Sequence, residues 1–153
     1  MKVIFLDIDG VLNSWRWYKD QTLKGKHVSM LPDDQIDPKA VTRLNTIIER
    51  TGAKVVVSST WRLNRTVAQL AEILGSKGFT GEVIGKTGRR GGPRPQRGDE
   101  IQDWLNENVG VERFVIIDDD SDMVHLMDRL VQTGMKKGLT QALAEEVVQK
   151  LSS

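Results

Sequence analysis

Two aspartates set two residues apart, Asp7 and Asp9, follow the apolar run Val3 to Leu6 and are followed at once by Gly10. A short run of β-branched and aromatic residues that ends at a glycine predicts a buried strand and a tight turn. Residues two apart in a strand share a side and lie roughly 6–7 Å apart, so the two carboxylates are candidates to converge just beyond the strand end. Carboxylates that close repel unless they share a proton or a cation. A turn rich in Asp that merely ends a strand has the same composition, so the rest of the chain must decide. A second apolar run, Phe114 to Ile117, ends in Asp118, Asp119, Asp120, Ser121 and Asp122. One of these suffices to cap a following helix, whereas four carboxylates at the end of a buried strand are costly without a cation. A third run, Ala53 to Val57, ends in Ser58, Ser59 and Thr60, then Trp61 and Arg62. Open parallel α/β sheets bind ligands at the carboxyl ends of their strands. Strands ending in Asp-x-Asp, Ser and Asp-Asp therefore describe one site.

These residues resemble a known family. Asp7-Ile-Asp9-Gly-Val is similar to motif I of the haloacid dehalogenase (HAD) superfamily, Ser58 to its motif II hydroxyl, and Asp118-Asp119 to its acidic motif IV. Motif III, a Lys or Arg near the start of the helix before motif IV, is matched best by Arg97, although Lys86, Arg90 and Arg94 are close by. More narrowly, Ser58-Ser-Thr-Trp-Arg62, Arg97-Gly-Asp-Glu-Ile101, Val115–Asp120, Leu130–Thr133 and Gly138–Thr140 resemble the small phosphatase-type domains of RNA-repair and polynucleotide kinase-phosphatase proteins. The resemblance implies a Mg²⁺-dependent phosphomonoester hydrolase. Asp7 would attack phosphorus to form an aspartyl-phosphate, while Asp9 would protonate the leaving oxygen and later activate water. Ser58 would bind a phosphoryl oxygen, and Arg97 would offset charge on the phosphate and on Asp7. Mg²⁺ suits a site built only of oxygen ligands. Its expected ligands are Asp7, the Asp9 carbonyl and Asp118, with Asp119 or Asp122 in support. Gly10, Ser59, Arg62, Arg94 and Trp15 are expected on the substrate side, Arg62 as a second phosphate contact.

The elements that position these residues follow from patterning. Asp37 as N-cap and Pro38 at the first helical position start a helix whose apolar Val41, Leu44, Ile47 and Ile48 keep the 3.6 period up to Gly52. Val67, Leu70, Ala71 and Leu74 predict another helix, stopped by Gly75. A short strand is expected near Glu82 to Ile84, a helix near Asp99 to Asn108, a strand over Leu130 to Thr133 and a closing helix over Thr140 to Leu151. Such alternation predicts a central parallel sheet flanked by helices, a HAD-like Rossmannoid fold. Residues 13–35 show no helical period and read as an irregular flap, the only lid candidate because no large cap domain fits between motifs II and III. Residues 85–98 read as a mobile basic loop.

At 153 residues, the chain suits one domain. A formal charge of +1 gives no global field, so nucleic-acid contact requires a local patch. No cysteine is present, which excludes disulfides and zinc-thiolate chemistry. Neither a signal peptide nor an apolar stretch near 18 residues is evident, so a cytoplasmic monomer away from membranes is expected. His27 and His125, the only histidines, have no third ligand in view, and Trp61 and Trp104 read as core. Trp15, Trp17 and Tyr18 could stack on a base or simply close the site. Lys86, Arg89, Arg90, Arg94 and Arg97 could track a polyphosphate backbone or form a solvated loop.

Rival classes make different demands. A two-component receiver places an acidic pair after its first strand and a lone Asp after a later one, whereas here Asp-x-Asp comes first and Asp-Asp late. A dehalogenase has no need of an acid at Asp9. A nucleic-acid-binding module could keep the motifs without turnover. The substrates left open are a polynucleotide 3′ end, a nucleoside monophosphate and a sugar phosphate.

Overall fold

Five strands alternate with helices, and every strand pair is parallel. A computed structural model describes residues 1–26, 29 and 31–152. The strands are β1 (Lys2–Leu6), β2 (Lys54–Val57), β3 (Val83–Lys86), β4 (Arg113–Asp118) and β5 (Leu130–Gln132). The helices are α1 (Trp15–Leu23), α2 (Pro38–Thr51), α3 (Val67–Ser76), α4 (Arg97–Glu107) and α5 (Gln141–Ser152). In the sheet, the order is β3-β2-β1-β4-β5. The chain winds outward from β1 in one direction and then restarts on its other side at β4. The crevice at the ends of β1 and β4 is therefore the topological switch point where such sheets bind ligands.

Strand alternation splits the core into two layers. Ile4, Leu6, Val55, Val57, Val115 and Ile117 pack with apolar residues of α2, α3 and α5. Val3, Phe5, Val56 and Ile116 point the other way, onto Ile101 and Trp104 of α4 and onto Met123 and Leu126. Phe5 meets Trp104 edge-on, 5.5 Å between ring centres at 82°, a favourable aromatic geometry. That contact fixes α4, and with it Arg97 at its first turn.

Most expected elements form. Asp37 caps α2 by accepting from the Lys39 amide, and Gly52 ends it in the left-handed region at φ 71°. Three expectations need correction. Residues 13–35 are not irregular throughout: α1 occupies 15–23, and a 3-10 turn spans Pro32–Asp34. Ser14 caps α1 by accepting from the Trp17 amide, and the Trp15 and Arg16 amides bond the Met135 and Lys136 carbonyls. No residue of α1 is buried, so there is no apolar stripe for a periodicity to reveal. Helix α3 runs through Gly75, and the chain turns at Gly78, which takes φ +97°. Helix α4 begins at Arg97, two residues before the expected Asp99, because a loop after β4 caps it from outside.

Candidate active site

Adjacent strands β1 and β4 bring Asp7, Asp118 and Asp119 together; one carboxylate oxygen from each lies within 4.8 Å of the others. Asp7 and Asp118 are buried. The Asp118 Oδ1 accepts from the Asp120 amide at 2.9 Å, while its buried Oδ2 accepts no hydrogen bond among the described residues. Burial, and then the nearby Asp118 charge, push the Asp7 carboxyl up to about 8. Burial also raises Asp118, to about 6, against the pull of Arg97. Two desolvated carboxyls that resist ionisation, one with an oxygen that accepts no hydrogen bond among the described residues, fit a hard divalent cation, which takes oxygen donors and compensates their charge. Asp122 stands outside this group: its Oδ2 accepts from the Arg97 amide. Asp119 therefore joins the cluster, and Asp122 serves as an external cap for α4. Gly10 lets the turn pass. It sits at φ +79°, and a Cβ there would lie 2.5 Å from Asp119 Oδ2.

Among the four basic candidates for motif III, Arg97 is the one at the carboxylates. Its Nη1 lies 3.5 Å from Asp7 Oδ1 and 3.4 Å from Asp118 Oδ2, and it also donates to the Ser58 carbonyl. The first turn of α4 is pressed on the loop after β4. The Gly98 amide bonds the Asp122 carbonyl at 3.0 Å, and a Cβ at Gly98 would overlap the Met123 carbonyl. Lys86 is spent on the Arg62 and Arg65 carbonyls. Arg90 is clamped by both oxygens of Asp103.

Asp9 is exposed, unlike Asp7, and both of its oxygens are held. Asn13 Nδ2 donates to Oδ1 at 2.9 Å and Trp61 Nε1 to Oδ2 at 3.2 Å. Asn13 also accepts from the Gly10 amide and donates to the Gln35 carbonyl. Trp61 carries the Arg65 guanidinium 5.4 Å over its ring. These two residues were missed: Trp61 reads as core, and it is buried, but its indole N–H faces the site. An Asn four residues beyond Asp9 was the available signal for the first. A third, Thr133, donates to the Gly10 carbonyl at 2.6 Å. Gly138 passes so close to Val11 and Asn13 that a Cβ would sit 2.9 Å from the Val11 carbonyl oxygen. The segments after β5 thus brace the loop that carries both aspartates.

The remaining expected residues divide. Ser58 sits at the end of β2, fully buried, with its hydroxyl unpaired among the described residues. Ser59 caps a 3-10 turn by accepting from the Trp61 amide. Arg62 is buried, and its guanidinium donates to the Thr87, Ser58, Ser59 and Gly88 carbonyls and to Glu100 Oε1. All three of its nitrogens are committed to protein acceptors, so it stitches the β2 and β3 loops instead of offering a phosphate contact. Arg94 lies exposed in the segment before α4. Trp15 is 63% exposed on α1. It is Tyr18 that feels Asp9: burial and then that carboxylate raise its phenol. His125 bonds Gln102 on the surface, and His27 lies outside the described residues.

Fold and acidic site together are those of a HAD-type domain. Residues 3–144 match the family described as the HAD domain in Swiss Army Knife RNA repair proteins, and the chain belongs to that family. No curated protein and no solved structure matches it.

Proposed function

We propose that the chain is a magnesium-dependent phosphomonoester hydrolase that works through an aspartyl-phosphate, with a polynucleotide 3′-phosphate end as its substrate. The observation that carries this reading is the convergence of Asp7, Asp118 and Asp119 around Arg97. The unpaired Ser58 hydroxyl stands on the neighbouring strand. An Asp7 oxygen attacks phosphorus, the bond from phosphorus to the leaving alkoxide breaks, and the Asp9 carboxyl gives that oxygen its proton. The Asp9 carboxylate then takes a proton from water as the water attacks the phosphorus of the aspartyl-phosphate. Inorganic phosphate leaves, and the Asp7 carboxylate is restored. Ser58 donates to a phosphoryl oxygen, and Arg97 balances charge on the group in transfer. Mg²⁺ held by Asp7, Asp118 and Asp119, with the Asp9 carbonyl, would supply the charge that keeps Asp7 ionised and neutralises the phosphoryl oxygens. Asn13 and Trp61 orient Asp9 while leaving it open to solvent.

Two observations favour a polymer end over a small molecule. Asp9 is exposed, and none of the site carboxylates lines the hollow of about 720 Å³ beside Asp33, Arg65 and Gln69. An open site admits the terminus of a chain. The RNA-repair setting of the family points the same way. Phosphate release from 3′-phosphorylated RNA and DNA oligomers, mononucleotides and sugar phosphates, each with and without Mg²⁺, tests both levels. Oligomers should be the best substrates. Better turnover of mononucleotides or sugar phosphates leaves a small-molecule phosphatase, and no Mg²⁺-dependent release from any of them removes the enzyme.

A further inference from the structure

The chain as a whole is nearly neutral, at +1, yet its cations are unevenly used. In the basic segment that could track a polyphosphate backbone or form a solvated loop, Lys86, Arg90 and Arg97 are all committed to protein acceptors. Beside α1 the cations are freer: among the described residues Arg43 alone of six donates to a protein acceptor, the Leu139 carbonyl at 3.1 Å. A cleft of about 430 Å³ between α1 and the start of α2 is lined by Arg16, Lys24, Lys26, Lys39, Arg43 and Lys137. Among the described residues, none of these six pairs with a carboxylate. Asp20 and Asp37 also line the cleft, but Asp37 Oδ1 is taken by the Lys39 amide. Half-buried Trp17 forms one wall, propped by Tyr18 with ring centres 4.9 Å apart. An adjoining hollow of about 350 Å³ adds Trp15, Lys19 and Lys136.

Unpaired cations along a groove with an aromatic wall are the features that hold a single strand, charge on its phosphates and stacking on its bases. We infer that the cleft between α1 and α2 is a binding track for single-stranded nucleic acid leading to the acidic site. This rests on the phosphatase reading only for the direction of the track. The link to the site is short, since Ser14, the cap of α1, directly follows the Asn13 that holds Asp9. From Arg16 to Lys24 the helix advances about 12 Å, enough for about three or four nucleotides only if the strand stays stacked at the duplex spacing of roughly 3.4 Å.

The test is binding of fluorescent 10-nucleotide RNA and DNA strands with 3′-hydroxyl ends, read by anisotropy across a salt series. Such strands carry phosphodiesters but no 3′ phosphomonoester to hydrolyse, so the readout is independent of turnover. Wild type should bind with log affinity falling linearly against log salt. The triple variant Arg16→Ala/Lys39→Ala/Lys137→Ala should lower the magnitude of that slope by about 2, at roughly 0.7 for each lost phosphate contact. Trp17→Ala should weaken binding about fivefold to a hundredfold. Because Trp17 also braces α1, the triple variant at exposed residues decides if that one misfolds. No binding by wild type at low salt overturns the inference. So does a slope unchanged in the triple variant but flattened by Arg89→Ala/Arg94→Ala, which would move the track to the 87–96 loop. Equal competition by anionic phospholipid vesicles would assign the patch to a membrane surface and likewise overturn it. Loss of the phosphatase reading, judged by p-nitrophenyl phosphate turnover, would leave these binding results standing.

Discussion

Asp7 and Asp9 differ in environment, and that difference assigns them different work. Asp7 is buried against Asp118 and Arg97; Asp9 is exposed and pinned by two neutral donors. Asp7→Asn should end turnover and leave no trapped phosphoenzyme. Asp9→Asn should keep the nucleophile and lose the proton donor, a loss of about 10²–10⁴-fold. That loss should be larger on alkyl phosphates than on p-nitrophenyl phosphate, whose leaving group needs little help. Equal loss on both would take Asp9 out of the acid role. Trp61→Phe keeps an aromatic ring at this buried position, at some loss of volume, and removes the donor to Asp9 Oδ2. About a tenfold fall on alkyl phosphates, with aryl phosphate turnover nearly unchanged, is expected if this hydrogen bond orients the acid. The carboxylates were legible because their spacing and strand context are both written in the chain. Trp61 was not. Sequence shows that a Trp sits in an apolar environment but not where its N–H points.

At the scale of elements, the helices with an apolar stripe and a capping residue were legible, α2 above all. Helix α1 was hidden because none of its residues is fully buried, and the start of α4 was hidden because its cap, Asp122, is 25 residues away from Arg97. Arg62 is a similar case. Its acceptors are mainly backbone carbonyls of the loops after β2 and β3, and no residue type announces a carbonyl. The structural assignment makes a distinct prediction. Arg62 and Glu100 form a buried ion pair at 3.1 Å, and removing one partner of such a pair costs about 3–5 kcal/mol. Arg62→Ala should therefore lower the denaturant midpoint strongly. Folded protein that remains should keep a near-normal KM for p-nitrophenyl phosphate. A raised KM at undiminished stability would instead return Arg62 to the substrate.

At the scale of the whole molecule, the acidic site is a stability cost carried by the fold. Burial raises Asp7 to about 8 and Asp118 to about 6, above the ordinary carboxylate range near 4. A carboxyl whose native pKa is raised binds protons more tightly when folded. Stability therefore falls as pH rises from about 4 towards the native values. Metal-free protein should melt highest near pH 5 and lose several degrees by pH 8.5, at roughly 2–4 °C per kcal/mol for a chain of this length. A cation bound by the ionised carboxylates reverses the balance, because whatever binds only the folded state stabilises it by mass action. Millimolar Mg²⁺ should thus raise the melting temperature at pH 8 more than at pH 5. Asp118→Asn removes one of the two repelling charges and should do the opposite on both counts. Its metal-free form should melt above wild type at pH 8, and its response to Mg²⁺ should shrink. A wild-type melting temperature indifferent to Mg²⁺, to chelator and to pH across this window would show that the three carboxylates form no cation site, and Asp7 would then lack the charge it needs to act as a nucleophile.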